Sequence, residues 1–465
     1  MIEDGGPGAT QGPAWFPSLD GLLGEFDRLA QEQPGQAAFF SWGQSRRGEA
    51  LWGLRLGAGP RRVLAYAFPQ PDEPLGGLVL LHLAQRILAE DDLARQATWT
   101  LLPCVDPDGA RRNEAWFTAS PDPANYARHA FRPPEGEQVE WSCTSTDPAW
   151  PWARVLPETE ALQALIDEFR PELLFPLHNA LLGGAYAFLS PDLAGLAPAL
   201  RSCWERHGLP THHGEPELPF AAILAPGVYA LPALAEMAAA LSAQGLPDPP
   251  GLLGCGAPVY EYARGRGGVR VVVPELPLFI VAGIGDTRPA AIGHRALLQE
   301  SLEADRTAFA LWQSLYRRAA PQLGRDNPFR SALENHLRTS PLLLQATARW
   351  LEGAPSQERP ATIAEVVDCH QILPYLRLLP LGLLEQALAF EEHRAADPDL
   401  RSQVHAALEK ALGEALAHLD ATPVPPAILV QTAMEILLQF PFPLPASAPE
   451  PNRRGNSFLG VENLR

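Results

Sequence analysis

Three apolar runs in this sequence end in side chains that could bind a metal ion or transfer a proton. The first run is followed by Gln70 and, three residues later, by Glu73, while the second ends at His178 and the third at Glu275. Strand ends are where an α/β enzyme places its reactive groups. A catalytic zinc ion takes three protein ligands and keeps one position open for water, and a nearby carboxylate can act as a general base. These four residues are therefore the candidates for a metal-dependent site.

The candidates are far apart in the chain, since about 100 residues separate Glu73 from His178. Only a fold that aligns its strand ends can bring them together. Strands alternate with helices in this part of the sequence, which predicts an α/β fold with a mixed, mostly parallel twisted sheet flanked by helices. The expected strands are 49–56, 62–68, 98–103, 173–177, 185–189 and 269–273, and the expected helices are 18–31, 78–90, 157–169 and 193–207.

Between these elements, residues 103–155 are rich in Pro, Gly, Asp and aromatic side chains. We expect a long irregular stretch there, of the kind that is usually functional or mobile. Within it, the Asp-Pro-Asp-Gly run at 106–109 predicts a tight turn.

Composition limits the classes of partner. The formal net charge of -18 argues against a nucleic-acid or anionic-membrane partner over the whole surface. No run of about 18 apolar residues is present, so we expect no transmembrane helix. The five cysteines are scattered without a CxxC pair, which favours free thiols and a cytoplasmic location.

At 465 residues, the chain exceeds the usual size of a single core. We expect a leader and helix at 1–34, an α/β domain at 35–290, an all-helical C-terminal region at 291–440 and a Pro-rich tail at 441–465. A helix beginning near residue 328 should be interrupted at Pro341. The helical region could serve as a lid, a partner platform or a surface for homo-oligomerisation.

The order of the motifs resembles that of the carboxypeptidase A-like family of zinc metallopeptidases, over roughly residues 35 to 280. The run at 106–117 and the run Gln138-Val-Glu-Trp look most like a bacterial branch of the family. The motifs that carry the resemblance are the turn Gly43-x-Ser45-x-x-Gly48, Gln70-Pro-Asp-Glu73, the turn from Pro103 to Gly109, Pro157-Glu-Thr159, His178 and Glu275.

The resemblance implies a zinc-carboxypeptidase-like fold for residues 35–290 and a Zn²⁺ cofactor. By their positions in the motifs, Gln70, Glu73 and His178 would hold the metal. Glu275 would take the proton of the attacking water and return it to the leaving amine.

The resemblance also implies groups that bind the substrate, a peptide or a peptidoglycan-derived muropeptide. An arginine suits the substrate carboxylate because its planar fork can donate two hydrogen bonds. Arg128 and Arg132 are the candidates, although the Asn that precedes this arginine in the family is missing here. Tyr260, or its neighbour Tyr262, would supply the phenol that the family places near its substrate.

Gln70 stands where the family has its first histidine ligand, and it leaves three interpretations open. A peptidoglycan-trimming branch of the family also has Gln there, so Gln70 could be a working ligand of a metallocarboxypeptidase. An amide oxygen is neutral and a poorer donor than imidazole, so the protein could instead be a pseudopeptidase that acts in binding or as a scaffold. A third interpretation is an N-acyl amino-acid deacylase.

Overall fold

The computed structural model describes residues 15–119, 122–145, 150–218, 220–246, 248–353, 359–391 and 397–439. Residues 1–14 of the predicted leader and all of the predicted Pro-rich tail lie outside these ranges. The strands are β1 (Ala37–Gln44), β2 (Ala50–Leu56), β3 (Arg61–Ala67), β4 (Ala97–Leu102), β5 (Leu173–Leu177), β6 (Leu182–Gly183), β7 (Tyr186–Leu189), β8 (Ile223–Ala225), β9 (Val228–Ala230), β10 (Arg270–Glu275), β11 (Phe279–Val281), β12 (Pro289–Gly293), β13 (Pro360–Thr362) and β14 (Ala421–Pro423).

The helices of the first part of the chain alternate with these strands, and longer helices follow from α11 onward. They are α1 (Leu19–Glu32), α2 (Leu75–Ala89), α3 (Asp91–Gln96), α4 (Pro107–Phe117), α5 (Pro123–His129), α6 (Pro157–Phe169), α7 (Ala197–Arg206), α8 (Leu234–Ala243), α9 (Pro249–Leu253), α10 (Val259–Arg264), α11 (His294–Ala319), α12 (Arg330–Gly353), α13 (Ile363–Val367), α14 (Leu373–Leu376), α15 (Leu379–Phe390), α16 (Pro398–His418) and α17 (Pro426–Gln439).

Nine strands form the main sheet, in the order β1-β2-β4-β3-β5-β10-β7-β9-β8. The central strands β4, β3, β5 and β10 run parallel to one another. The pairs β1–β2, β2–β4, β7–β10 and β8–β9 are antiparallel, and β7 pairs in parallel with β9. The predicted mixed sheet flanked by helices is confirmed.

Alternate residues of β3 face two different hydrophobic cores, because successive side chains of a strand point to opposite faces of a sheet. Val63 and Ala65 belong to the core beneath α1, α2, α7 and α17. Leu64 and Tyr66 belong to the core beneath α6, α8 and α10. Helices therefore cover both faces of the sheet centre, which leaves the ends of the central strands as the places where side chains can reach a ligand.

Residues 103–155 contain two helices that the sequence did not predict. Asp106 caps α4 by accepting a hydrogen bond from the Gly109 N–H at 3.0 Å, with Pro107 at the first helical position. Asp122 caps α5 in the same way, by accepting from the Ala124 N–H. The Asp-Pro-Asp-Gly run is thus a helix start, which uses the same residue types as a turn.

The helical character of the C-terminal region is confirmed, with two short strands inside it. β13 pairs with β12, and β14 pairs with β11 of the preceding α/β part. Each has three residues and contains proline, so neither shows the alternation that reveals a strand in a sequence.

The predicted interruption at Pro341 was wrong, because α12 continues through it. Leu333 and Ala346, on either side of the proline, are buried against different cores. Packing along the helix therefore outweighs the hydrogen bond that proline cannot donate.

One helical stretch among the described residues, Ile363–Phe390, is long and apolar enough to span a membrane. Half of it is buried inside the protein, as in a core helix, and a π-helical segment at Asp368–Ile372 interrupts it.

Candidate functional site

The topology of the sheet brings three of the predicted residues together at the carboxyl ends of its central strands. β3 pairs in parallel with β5, and β5 with β10, so their carboxyl ends lie side by side. His178, directly beyond β5, forms a parallel bridge with Glu275, the last residue of β10. Glu73 lies in the turn that follows β3, and it contacts His178. Residues that are about 100 positions apart in the chain therefore meet where the central strands end.

The turn after β3 has an unusual backbone. Phe68 is buried and has a φ of 53°, in the left-handed region that a bulky residue rarely adopts. The chain then turns at Gln70, whose carbonyl accepts a hydrogen bond from the Glu73 N–H at 3.1 Å. At the start of α2, a Cβ added to Gly76 would lie 2.9 Å from the Leu177 carbonyl oxygen. The glycine lets α2 begin against the strand ends and so fixes the position of the turn.

His178 is the centre of the site. Its Nδ1 lies 2.8 Å from Glu73 Oε2 and 3.6 Å from Glu275 Oε1, and its Nε2 lies 3.0 Å from Glu140 Oε2. Burial disfavours the imidazolium, but these three carboxylates outweigh it and raise the pKa of His178 well above its usual value.

Glu140 is a residue that sequence reasoning missed. It lies on a short 3-10 turn, Val139–Trp141, and is buried. The Tyr66 phenol donates a hydrogen bond to Glu140 Oε1, while Oε2 faces His178 Nε2. The only signal in the sequence was the Gln138-Val-Glu-Trp run, which contributed to the family resemblance without indicating a role for its carboxylate.

Arg132 binds the turn between β3 and α2. Its guanidinium donates to both carboxylate oxygens of Asp72 at 2.9–3.1 Å and to Glu73 Oε1 at 3.0 Å. The Tyr126 phenol also donates to Asp72, at 2.5 Å. Burial raises the pKa of Glu73, although His178 and Arg132 act in the opposite direction. Glu73 is therefore held between a guanidinium on one oxygen and an imidazole near the other.

Glu275 ends β10 and is 5% exposed. Its pKa is raised well above the usual range, mainly by burial and further by the neighbouring carboxylates of Glu217 and Glu73, while His178 lowers it. Tyr186 lies opposite Glu275 in the β7–β10 ladder and donates to Glu217 at 2.8 Å. A buried carboxyl group with a raised pKa is suited to general acid–base work.

Gln70 has a buried side-chain oxygen, Oε1, that makes no hydrogen bond with any described residue. Glu73 Oε2 is in the same condition, because its contact with His178 Nδ1 is close but not aligned as a hydrogen bond. A buried, unsatisfied oxygen is costly unless a donor or a cation meets it. Both oxygens belong to the turn after β3, and Glu73 Oε2 lies 2.8 Å from the imidazole nitrogen of His178, so these residue types fit a metal ion.

Two predicted substrate-binding residues lie elsewhere. Arg128 forms a two-point ion pair with Glu409 of α16, at 2.8 and 2.9 Å. The Tyr260 phenol donates to the Pro232 carbonyl at 2.6 Å and is buried. Neither residue contacts the group around His178, whereas Arg132 does so through Glu73.

A cavity of about 410 Å³ opens from the carboxyl ends of the central strands. Its walls include Glu73, Glu275, Arg132 and Tyr186 on one side, and α11, α12 and α15 of the helical region on the other. The volume lies in the range of small-molecule sites. The helical region thus covers the site.

Two further clusters could hold a metal by residue type, Cys203-His207-Glu435 and Glu215-His294-Glu365. In each, an arginine pairs with one carboxylate: Arg206 with Glu435, and Arg359 with both oxygens of Glu365. Arg132 does the same to Glu73 in the strand-end group. What distinguishes the strand-end group is its place at the carboxyl ends of the central parallel strands, where the sequence motifs predicted a site.

Comparison with known proteins returns matches in structure. Carboxypeptidase A from Helicoverpa armigera is similar over 57% of this chain and 65% of its own, with 14% identity and a TM-score of 0.38. A metallo-carboxypeptidase from Burkholderia cenocepacia is similar over 56% of this chain and 60% of its own, with 17% identity and a TM-score of 0.32. These neighbours are of the protein class that the sequence motifs resemble.

No protein-family model matches the chain, and no curated protein matches it in sequence.

Proposed function

We propose that the protein is a zinc-dependent metallocarboxypeptidase that hydrolyses a C-terminal amide bond of a peptide or muropeptide. The observation that carries the proposal is the strand-end group itself: Glu73 Oε2, which accepts no hydrogen bond, lies 2.8 Å from His178 Nδ1, and that nitrogen lies 3.6 Å from Glu275. Gln70 Oε1, in the same turn as Glu73, also accepts no hydrogen bond. Other buried atoms, such as Glu158 Oε2, lack partners too, so the convergence of Glu73, His178 and Glu275 is what supports a metal here.

Gln70, Glu73 and His178 would hold the zinc ion. When bound by three protein ligands, zinc supplies a water molecule of lowered pKa and polarises a carbonyl oxygen. The charges support a cation, because four carboxyl groups surround one guanidinium and one imidazole: Asp72 and Glu73 pair with Arg132, and Glu73, Glu140 and Glu275 lie around His178.

Glu140 would orient the imidazole. Its Oε2 accepts from His178 Nε2, which leaves Nδ1 directed toward Glu73 and Glu275. A carboxylate that accepts a hydrogen bond from the other ring nitrogen of a ligating histidine fixes the tautomer and makes the imidazole a stronger metal ligand.

Glu275 would act as the general base and then as the general acid. Its carboxylate accepts a proton from the attacking water and transfers it to the nitrogen of the leaving amine as the C–N bond breaks. Arg132 lines the same cavity, and its guanidinium would attract the substrate carboxylate toward the site.

A second candidate follows from one observation, the amide of Gln70 at a ligand position. A neutral oxygen weakens metal binding, so a binding protein without catalysis is the alternative class. N-acyl amino-acid deacylation is a third, because it breaks the same kind of amide bond next to a free carboxylate.

The test is a hydrolysis assay on the zinc-loaded protein with C-terminal peptides, muropeptides and N-acyl amino acids, detected by release of the free amine. Glu275→Gln should lower kcat by about 10²- to 10⁴-fold while zinc content stays unchanged. Hydrolysis that persists in Glu275→Gln would exclude this mechanism. Stoichiometric zinc without hydrolysis of any substrate class would favour the binding protein.

A further inference from the structure

The cavity has two halves of different chemistry. The half at the strand ends carries the carboxylates of Glu73, Glu217 and Glu275 together with Arg132. The half beneath the helical region is lined mainly by apolar and aromatic side chains: Leu298, Leu302, Trp312, Leu343, Leu344 and Trp350. An occupant that fills both halves must be polar at one end and apolar at the other.

The apolar half is long. The lining residues of α11 run from Leu298 to Trp312, which at 1.5 Å per residue is about 21 Å of helix. The lining residues of α12 run from Ala332 to Trp350. Two helices that each present one face over several turns form an elongated wall.

Five polar side chains of this half already have partners. The Thr339 hydroxyl donates a hydrogen bond to the Asn335 carbonyl at 2.9 Å, and the Ser340 hydroxyl is hydrogen-bonded to His336 Nδ1 at 3.1 Å. Asp305 and Arg377 form an ion pair at 2.5 Å, both nearly buried. The half therefore offers an occupant hydrocarbon and aromatic contacts.

His336 belongs to the apolar half as well. Its ring packs edge-on against Trp312, with ring centres 4.5 Å apart, and burial lowers its pKa to about 4. The imidazole is thus neutral at pH 7 and does not add a charge to the wall.

We propose that the substrate is an amide of an amino acid whose acyl part is a long hydrocarbon chain, with the scissile bond at Glu275 and the chain lying between α11 and α12. This proposal rests on the amide hydrolysis proposed above, with the same residues in the same roles, and it replaces the peptide or muropeptide by an N-acyl amino acid, the substrate class of the third candidate. A peptide fits the apolar half poorly, because every residue brings a backbone N–H and C=O that must find partners when buried. A hydrocarbon chain needs none.

Chain length provides the first test. N-acyl amino acids with one head group, from acetyl to myristoyl, are titrated by calorimetry into the zinc-loaded full chain carrying Glu275→Gln, which prevents turnover. The dissociation constant should fall about fourfold for each added CH2 until the cavity is full. A dissociation constant that does not change with chain length would overturn the proposal, as would tighter binding of apolar peptides of equal length.

A pair of alanines on α11 provides the second test. Ala308 lines the cavity, whereas Ala310 on the same helix is exposed to solvent. Ala308→Phe should weaken myristoyl binding at least tenfold and leave acetyl binding unchanged, and Ala310→Phe should change neither. Equal effects of the two substitutions would overturn the proposal, and thermal unfolding of both variants shows whether they fold.

The two proposals fail differently. Hydrolysis of short N-acyl amino acids without any dependence of binding on chain length removes the acyl-chain proposal alone. Chain-length-dependent binding in a protein that hydrolyses none of the amides removes the proposed catalysis and leaves an acyl-binding cavity.

Discussion

At the scale of single residues, one imidazole organises the site. His178 contacts three carboxylates, and the tightest of these contacts are to Glu73 and Glu140 on opposite ring nitrogens. The two nitrogens therefore have separate partners, one toward the proposed metal and one toward the supporting carboxylate. This division is what a metal-binding histidine requires.

Two arginines from one segment allow a matched comparison. Arg132→Gln leaves the buried Asp72 without its cation, so the free energy of unfolding should fall by about 3–5 kcal/mol. Arg128→Gln breaks an exposed pair with Glu409 and should cost at most about 1 kcal/mol. Chemical denaturation of both variants measures the difference, and an equal loss in the two would contradict the role given to Arg132.

The sequence revealed the candidate residues that directly follow an apolar strand. The structure brings Glu73, His178 and Glu275 together because their strands are neighbours. It also adds Glu140 and Tyr186, which the sequence did not indicate. Glu140 lies on a three-residue turn, and Tyr186 reaches the site through an antiparallel pairing with β10, so neither has a local pattern.

At the scale of elements, the junction of β3 and α2 positions the turn that carries Gln70 and Glu73. Gly76→Ala should destabilise the protein by about 1–3 kcal/mol, since its Cβ would lie 2.9 Å from both Leu177 Cβ and the Leu177 carbonyl oxygen. The matched control is Gly413→Ala in α16, where the added Cβ meets nothing within 4 Å.

The Gly413→Ala control should stabilise the protein by about 0.5–1 kcal/mol, because alanine has a higher helix propensity than glycine. Thermal unfolding of the two variants distinguishes close approach from a general effect of glycine. Stabilisation by both substitutions would show that the junction tolerates a side chain.

Elements with a strong period were predictable, and those set by distant packing were not. The sequence predicted α1 with its Ser18 cap, and α6 from Pro157, because both begin with recognisable signals. It did not predict that α12 continues through Pro341, since the contacts of Leu333 and Ala346 with distant parts of the chain are invisible locally.

At the scale of the whole molecule, the helical region closes a cavity over the carboxyl ends of the central strands, and His336 lies partly buried at that junction. Burial lowers the pKa of His336 from 6.5 to about 4, so the folded state favours the neutral ring. The unfolded chain takes up a proton on this imidazole below pH 6.5, whereas the folded protein does so only near pH 4. The free energy of unfolding therefore falls by about 3 kcal/mol as the pH drops from 6.5 to 4.

The His336→Phe variant has no imidazole to protonate at this position, and it keeps an aromatic ring beside Trp312. The variant should therefore lose about 3 kcal/mol less stability than the wild type between pH 6.5 and pH 4. His370→Phe, at a half-exposed position, is the control and should follow the wild type. Parallel pH profiles for all three proteins would show that His336 is not buried in this way.

The most direct test of the central claim is the zinc affinity of the purified full chain, measured by competition with a chelating dye. We predict one zinc ion per chain in the wild type and loss of that ion in His178→Ala. Gln70→His should bind zinc about tenfold more tightly, equivalent to about 1.4 kcal/mol, because imidazole is the better ligand. Zinc bound with equal affinity by the wild type, His178→Ala and Gln70→His would place any metal elsewhere and contradict the account.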